Sequence, residues 1–220
     1  MALWTAFVEF LEAGLFATTQ LCGGNMGWGI VVVSLALRFG LLPLTYRAAR
    51  DSQKRALIMR KLQPQLDRLR KRYQKDPMRI AEENARLMRN HGLPLVDRST
   101  LVGGAVQLPF ALGMFSVIRR VLGANVGGRF FWIRDIARPD PLLALLVAGT
   151  VAVSALLAPQ ISDHVIRWQV VVPVLLTLIF LLQVSSGLGL YWGASSVVGG
   201  LQAVLVRRDL KTSSRLRSVN

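Results

Sequence analysis

The sequence predicts an all-α membrane protein: five transmembrane helices, an N-terminal interfacial helix before them, and a cytoplasmic helical hairpin after the first. Three observations carry that reading. The 220 residues are 52% hydrophobic and 18% charged with mean hydropathy +0.42, whereas soluble domains are about 25% charged. Five apolar segments, roughly 27–46, 101–122, 142–159, 168–186 and 187–206, approach the ~20 residues that a bilayer-crossing helix needs. Twenty of the 27 basic residues lie in two segments, 47–98 and 207–217, separated by four of those spans, which puts both on one side of the membrane.

Residues 1–24 open with MALWTAFVEFLEAGLFATTQL. Glu9 and Glu12 without any basic residue exclude a secretory signal, which needs a positive n-region. Leu3, Phe7, Phe10, Leu11 and Leu15 recur at helical spacing, the pattern of an amphipathic helix lying in the membrane interface. A sixth transmembrane helix is the alternative.

The first span, 25–48, contains a single charge, Arg38. A charge at the centre of a spanning helix costs at least ~2.5–3.5 kcal/mol on insertion scales, so it faces protein or water. None of the twelve acidic residues falls inside an apolar span. With no carboxylate partner in the spans, Arg38 points to a wet cavity open to solvent or to a client.

The segment 49–98 is an ordered hairpin. Leu62, Leu66, Leu69 and Tyr73 recur at coiled-coil spacing, and Pro64 is expected to interrupt this first helix. Asp76-Pro77 reads as an N-cap followed by proline at the first helical position. Met78, Ala81, Ala85 and Met88 continue the seam, and His91-Gly92 ends the second helix. Its basic faces suit lipid headgroups, ribosomal RNA or a client.

Residues 99–206 hold spans two to five. The apolar run from Trp168 to Val206 is too long for one crossing, so a break is placed at Ser185-Ser186-Gly187. Gly189 and Gly193 form a small-xxx-small pair that lets helix backbones approach. The basic segments put the hairpin and the tail 207–220 in the cytoplasm by the positive-inside rule, with the N-terminus outside. Arg119 and Arg120 fall on the outer side and snorkel from their helix end. One cysteine, Cys22, allows no intrachain disulfide. His91 and His164 fall between apolar runs, and no metal or cofactor is expected. The +15 net charge orients the bundle, and no DNA partner is expected.

Five motifs in order resemble the YidC/Oxa/Alb family of membrane-protein insertases, in a short bacterial form. They are NMGWGIVVVSLALRFGLLPL with Asn25, Gly27, Ile30, Arg38 and Pro43, then KLQPQLDRLRKRYQKDP, AVQLPFALGMFSVIR, FFWIRDIARPDPLLAL and SSGLGLYWGASSVVGGLQAVLVRR. The segment HGLPLVDRSTLVGG departs from the family pattern. The resemblance implies five helices around a hydrophilic groove, open to cytoplasm and lipid and closed outside. It places Arg38, Ser34, Gln107, Tyr191 and Trp192 in a client-binding groove. It also implies a bacterial plasma-membrane protein without the family's large outer domain. Its expected partners are nascent membrane-protein clients and the bilayer, with the ribosome and the Sec translocon as further ones.

A small channel or lipid-translocating protein could use the same polar groove. It would show paired polar residues along several helices or an inverted repeat, and neither is present. No histidine or aspartate lies within a span to activate a nucleophile or water, and no phosphate-binding G-x-x-x-x-G-K-[ST] loop exists. The expectation is therefore a protein that makes and breaks no bonds.

This orientation puts Cys22 outside, beside the membrane interface. A membrane-impermeant maleimide is expected to label it in intact cells and right-side-out vesicles. Labelling confined to inverted vesicles reverses the orientation.

Overall fold

The structure, a computed structural model, describes residues 2–74, 76–93, 98–123, 128–157 and 163–217. Seven helices run in chain order among them: α1 (Ala2–Leu21), α2 (Met26–Arg72), α3 (Pro77–Asn90), α4 (Arg98–Gly123), α5 (Pro141–Leu157), α6 (Asp163–Leu181) and α7 (Ser186–Arg217). The chain is all-α; extended pairing among the described residues is confined to one bridge between Phe130 and Ile133. The break within the long apolar run falls between Leu181 and Ser186, one turn before the expected place. His164 lies in the first turn of α6 instead of a loop; its side chain is outside the described residues, as is the divergent stretch 94–97.

The first span and the first hairpin helix form one helix. α2 has 47 residues, or ~70 Å at ~1.5 Å per residue, more than twice a ~30 Å hydrocarbon core. Its C-terminal half must therefore stand off any membrane that its N-terminal half crosses. Pro64 does not interrupt it, contrary to expectation. Leu62 and Leu66 on either side of Pro64 are buried against the hairpin core, and that packing offsets the lost backbone hydrogen bond.

The hairpin's turn is as its capping residues dictate. The Asp76 carboxylate accepts from the Arg79 N–H at 3.1 Å, Pro77 opens α3, and Gly92 takes a left-handed φ of +66° after the His91 cap. The expected seam holds at Leu62, Leu66 and Met88 but fails at Met78, which is 82% exposed, and at Ala81. Leu93, returned to the seam by Gly92, fills the space together with Leu87 and Met59.

α1 packs against α2 and α4, with Val8, Leu11, Leu15 and Thr19 buried. The expected apolar face is thus rotated: Leu3 and Phe10 are exposed, while Leu11 and Leu15 are inside. Backbone contact selects this face. The Thr18 hydroxyl donates to the Gly29 carbonyl at 3.1 Å, and a Cβ on Gly29 would lie 2.9 Å from the Thr19 Cα. Arg120 also differs from expectation: it pairs with Glu12 at 3.0 Å instead of extending freely.

The core sits in the half of the bundle away from the hairpin, where Ile30, Met114, Val117, Ile118 and Ile136 are almost completely buried. α5 fits closely on α7 because Gly189 and Gly193 face Leu143 and Val147, where a Cβ would come within 2.9 Å. α6 packs on α5, and α4 and α6 do not meet among the described residues. Outward faces carry Leu108, Leu112, Leu145, Leu175, Ile179 and Leu201, all exposed. An apolar surface on this scale suits lipid rather than water. By length and composition, α2 and residues Ser186–Asp209 of α7 can cross a membrane; α5 and Trp168–Leu181 are shorter apolar helices.

The end of the bundle away from the hairpin is capped by 128–140. Ser186 and Gly187 donate backbone N–H groups to Arg138 and Ile136, each at 2.9 Å, and the Asn25 amide donates to the Arg129 carbonyl at 3.3 Å. Asp140 caps α5 by accepting from the Leu143 N–H at 2.7 Å.

Gly29→Ala is expected to force α1 and α2 apart and destabilise the protein by about 1–3 kcal/mol. Thermal unfolding in detergent measures it. An unchanged midpoint means that the Thr19–Gly29 contact is not a tight one.

Candidate functional site

α2 enters the bundle apolar and meets α4 and α7 about three turns down, where its one charge lies. Arg38 is half-buried there, and its Nη1 donates to the Gln107 Oε1 of α4 at 2.8 Å. The buried Tyr191 of α7 lies close enough to interact electrostatically with the guanidinium. No carboxylate pairs with Arg38 among the described residues. The partner is a neutral amide, which satisfies one of five N–H donors and neutralises none of the charge. The remaining donors call for water or an incoming acceptor. Three of the five residues expected in a groove thus come together from three helices.

The other two do not. Ser34, one turn above Arg38, is fully buried, and its hydroxyl donates to the Ile30 carbonyl of its own helix. It is part of the packing between helices and faces no opening. Trp192 follows Tyr191 by ~100° around α7, which turns it towards α6. Its ring lies 5.4 Å from that of Phe180.

A polar ladder continues below Arg38 along the α2–α7 contact. The Thr45 hydroxyl donates to the Gln202 Oε1 at 3.3 Å, the Gln53 amide donates to the Ala203 carbonyl at 3.3 Å, and the Tyr46 hydroxyl donates to the Asp209 carboxylate. Sequence reasoning expected no paired polar residues along several helices; the α2–α7 ladder is such a pairing on two of them. A signal existed: Ser34, Arg38, Thr45 and Gln53 follow one another at four, seven and eight residues, one stripe of a 3.6-residue helix. Tyr191, Ser195, Gln202 and Asp209 form a similar stripe on α7, at four, seven and seven residues.

The site is a cation with neutral hydrogen-bonding neighbours. Among the described residues, His, Cys, Asp and Glu do not gather in groups of three that could hold a metal. The ladder leads towards the hairpin, and the capped end lies on the opposite side of Arg38. The arrangement can attract an anionic or polar group and can hold it by hydrogen bonds.

Residues 17–213 match a family model described as 60Kd inner membrane protein. Similar curated proteins are named membrane protein insertase YidC. That of Helicobacter pylori (strain ATCC 700392 / 26695) is 26% identical over 205 residues, 90% of this chain and 36% of the relative. That of Legionella pneumophila (strain Corby) is 29% identical over 224 residues, 99% of this chain and 38% of the relative. The chain therefore spans little more than a third of the length of these two. A Fusobacterium nucleatum relative is 29% identical, with 94% of this chain and 97% of the relative covered. Among solved structures, one described as an active YidC insertase with its first transmembrane domain resolved aligns at a TM-score of 0.64 and 28% identity. That alignment covers 93% of this chain and 45% of the solved one.

Gln107→Leu leaves the half-buried guanidinium without its amide acceptor and is expected to destabilise the protein by about 1–3 kcal/mol. Adding Arg38→Ala should recover part of that loss, with a coupling of about 0.5–3 kcal/mol. Denaturation of the two single variants and the double variant in detergent measures the coupling; strict additivity means that the hydrogen bond contributes nothing.

Proposed function

We propose that this chain, which belongs to the 60Kd inner membrane protein family, inserts the membrane-spanning segments of client proteins into a bacterial inner membrane. The observation that carries the proposal is Arg38, a cation held inside an apolar bundle with Gln107 as its hydrogen-bonding partner and with no carboxylate paired to it among the described residues. The names of the relatives and the structural likeness support the same reading.

In this reading the N-terminal half of α2, α4, α5, α6 and α7 cross the bilayer, and α1 lies at the outer interface. The hairpin and the C-terminal end of α7 are cytoplasmic. Arg38, Gln107 and Tyr191 form the client-binding surface of a hydrophilic groove. Ser34 lies in the helix packing beside it, and Trp192 packs on Phe180 of α6. The capped outer end supports a groove closed outside, and the polar α2–α7 ladder supports one open towards the cytoplasm. Nascent clients and the bilayer are the partners; the basic hairpin provides a surface for the ribosome or the Sec translocon.

Magnitudes explain why one arginine suffices. An acidic residue at the centre of a spanning helix costs about 2.5–3.5 kcal/mol on insertion scales. A cation ~4 Å away at an effective dielectric of ~20 attracts it by about 4 kcal/mol. Arg38 thus offsets the cost of one acidic side chain on the client's translocating flank. Groove water shortens the hydrocarbon path for the flank's backbone, whose unsatisfied groups cost several kcal/mol each. The client's apolar stretch then partitions into lipid, and the unfilled space between α4 and α6 gives it a lateral way out. No covalent bond forms or breaks.

Arg38→Ala is expected to fold, since it removes a charge from membrane depth, and to reduce insertion of single-span clients with an acidic translocated flank by about tenfold or more. Arg38→Lys should keep part of the activity, because attraction needs charge more than a bidentate fork, and Arg38→Glu should be the weakest. Protease protection of clients synthesised on vesicles holding each variant provides the readout. Parental insertion of acidic clients by a folded Arg38→Ala protein would sink the electrostatic role.

A further inference from the structure

A cavity of about 440 Å³ lies between the end of α4, the α6–α7 turn and the start of α7, within the ~300–1,000 Å³ range of small-molecule sites. Its floor is apolar, made by Phe115, Ile118 and Leu122 of α4 and Leu188 of α7. Its rim is polar, with Arg119 on one side and Gln183 and Ser185 of the α6–α7 turn on the other. Ala137 of the outer cap closes the third side.

The two adjacent arginines at the end of α4 are differently employed. Arg120 is paired with Glu12. Arg119 is exposed and has no hydrogen bond or ion pair among the described residues. It also lies on the side of the bundle where the charge distribution places few basic residues, so the positive-inside bias disfavours it. The Gln183 amide N–H is taken by the Ile179 carbonyl at 3.2 Å. Among the described residues, the cavity therefore offers an unpaired cation and a hydroxyl above an apolar trough, at headgroup depth.

We infer that this cavity binds an anionic phospholipid of the outer leaflet, with its phosphate at Arg119 and Ser185 and part of an acyl chain on the Phe115–Ile118–Leu122 floor. An amphiphile uses both halves of the lining. A client carboxylate or a free phosphate would use only the rim and leave the apolar trough without a partner. A lipid seated there lies between the end of α4 and the α6–α7 turn, at the outer end of the proposed insertion path. The inference rests on the membrane placement above. Its test reads lipid occupancy and not insertion, so the two readings fail separately.

The full chain is reconstituted in vesicles containing phosphatidylglycerol with a photoreactive group on one acyl chain, and the adducts are mapped by mass spectrometry. Adducts are expected within 115–122 and 183–188. Arg119→Gln should lower them about tenfold or more, the loss of one hydrogen bond to a charged group, and Arg119→Lys should retain most of them. Ala137→Phe, which fills the cavity without altering charge, should lower them as well, and Arg134→Gln in the outer cap should not. Equal adducts in the parent, Arg119→Gln and Ala137→Phe overturn the inference, as do adducts mapped elsewhere. Full displacement by soluble glycerol phosphate also overturns it, because the site would then recognise an anion alone.

Discussion

A guanidinium among apolar helices needs hydrogen-bond acceptors, and in this chain the first of them is the side-chain amide of Gln107. That hydrogen bond from Arg38 joins α2 to α4, and Tyr191 on α7 brings the third helix to the same level. A carboxylate in place of Gln107 would neutralise the cation and leave it little reason to attract anything else. A neutral amide orients the side chain and preserves its charge. The remainder of the bundle can be understood as what holds three helices around that cation without closing over it.

The helix contacts divide accordingly. On one side glycines do the holding: Gly29 against Thr19 in α1, and Gly189 and Gly193 against Leu143 and Val147 in α5. Close backbone approach gives extensive dispersion contact where burial of apolar surface supplies no driving force in lipid. On the other side α4 and α6 make no contact among the described residues, with exposed leucines at their surfaces. The same molecule is thus tightly packed across α1–α2 and α5–α7 and open between α4 and α6. The cap formed by 128–140 crosses the end of this arrangement through backbone hydrogen bonds from Ser186 and Gly187.

The continuity of α2 couples the inside of the bundle to the hairpin. Arg38 and the buried Leu62 and Leu66 belong to one helix, so a force applied to the hairpin reaches the site through rigid backbone rather than a loop. The ladder of Thr45, Tyr46 and Gln53 against α7 fastens the intervening turns. Proline at positions 43 and 64 removes two backbone donors from this helix without dividing it.

Local chemistry was legible in the sequence. Apolar runs indicated the helices, Ser185-Ser186-Gly187 located the break between α6 and α7 to within a turn, and Asp76-Pro77 and His91-Gly92 bounded α3, because caps and breakers act within a turn of themselves. The isolation of Arg38 could be read from the absence of acids in the spans, and the motif resemblance pointed to Gln107 and Tyr191. What the sequence could not decide was which faces meet. Helical periodicity states that a face exists but not what lies opposite it. α1 turned Val8 and Thr19 inward because Gly29 admits its backbone, Arg120 found Glu12, Met78 lost its place to Leu93, and Trp192 went to Phe180. The pairing of Arg38 with Gln107 across 69 residues belongs to the same class: each residue was conspicuous alone, and only the crossing of α2 and α4 made them partners.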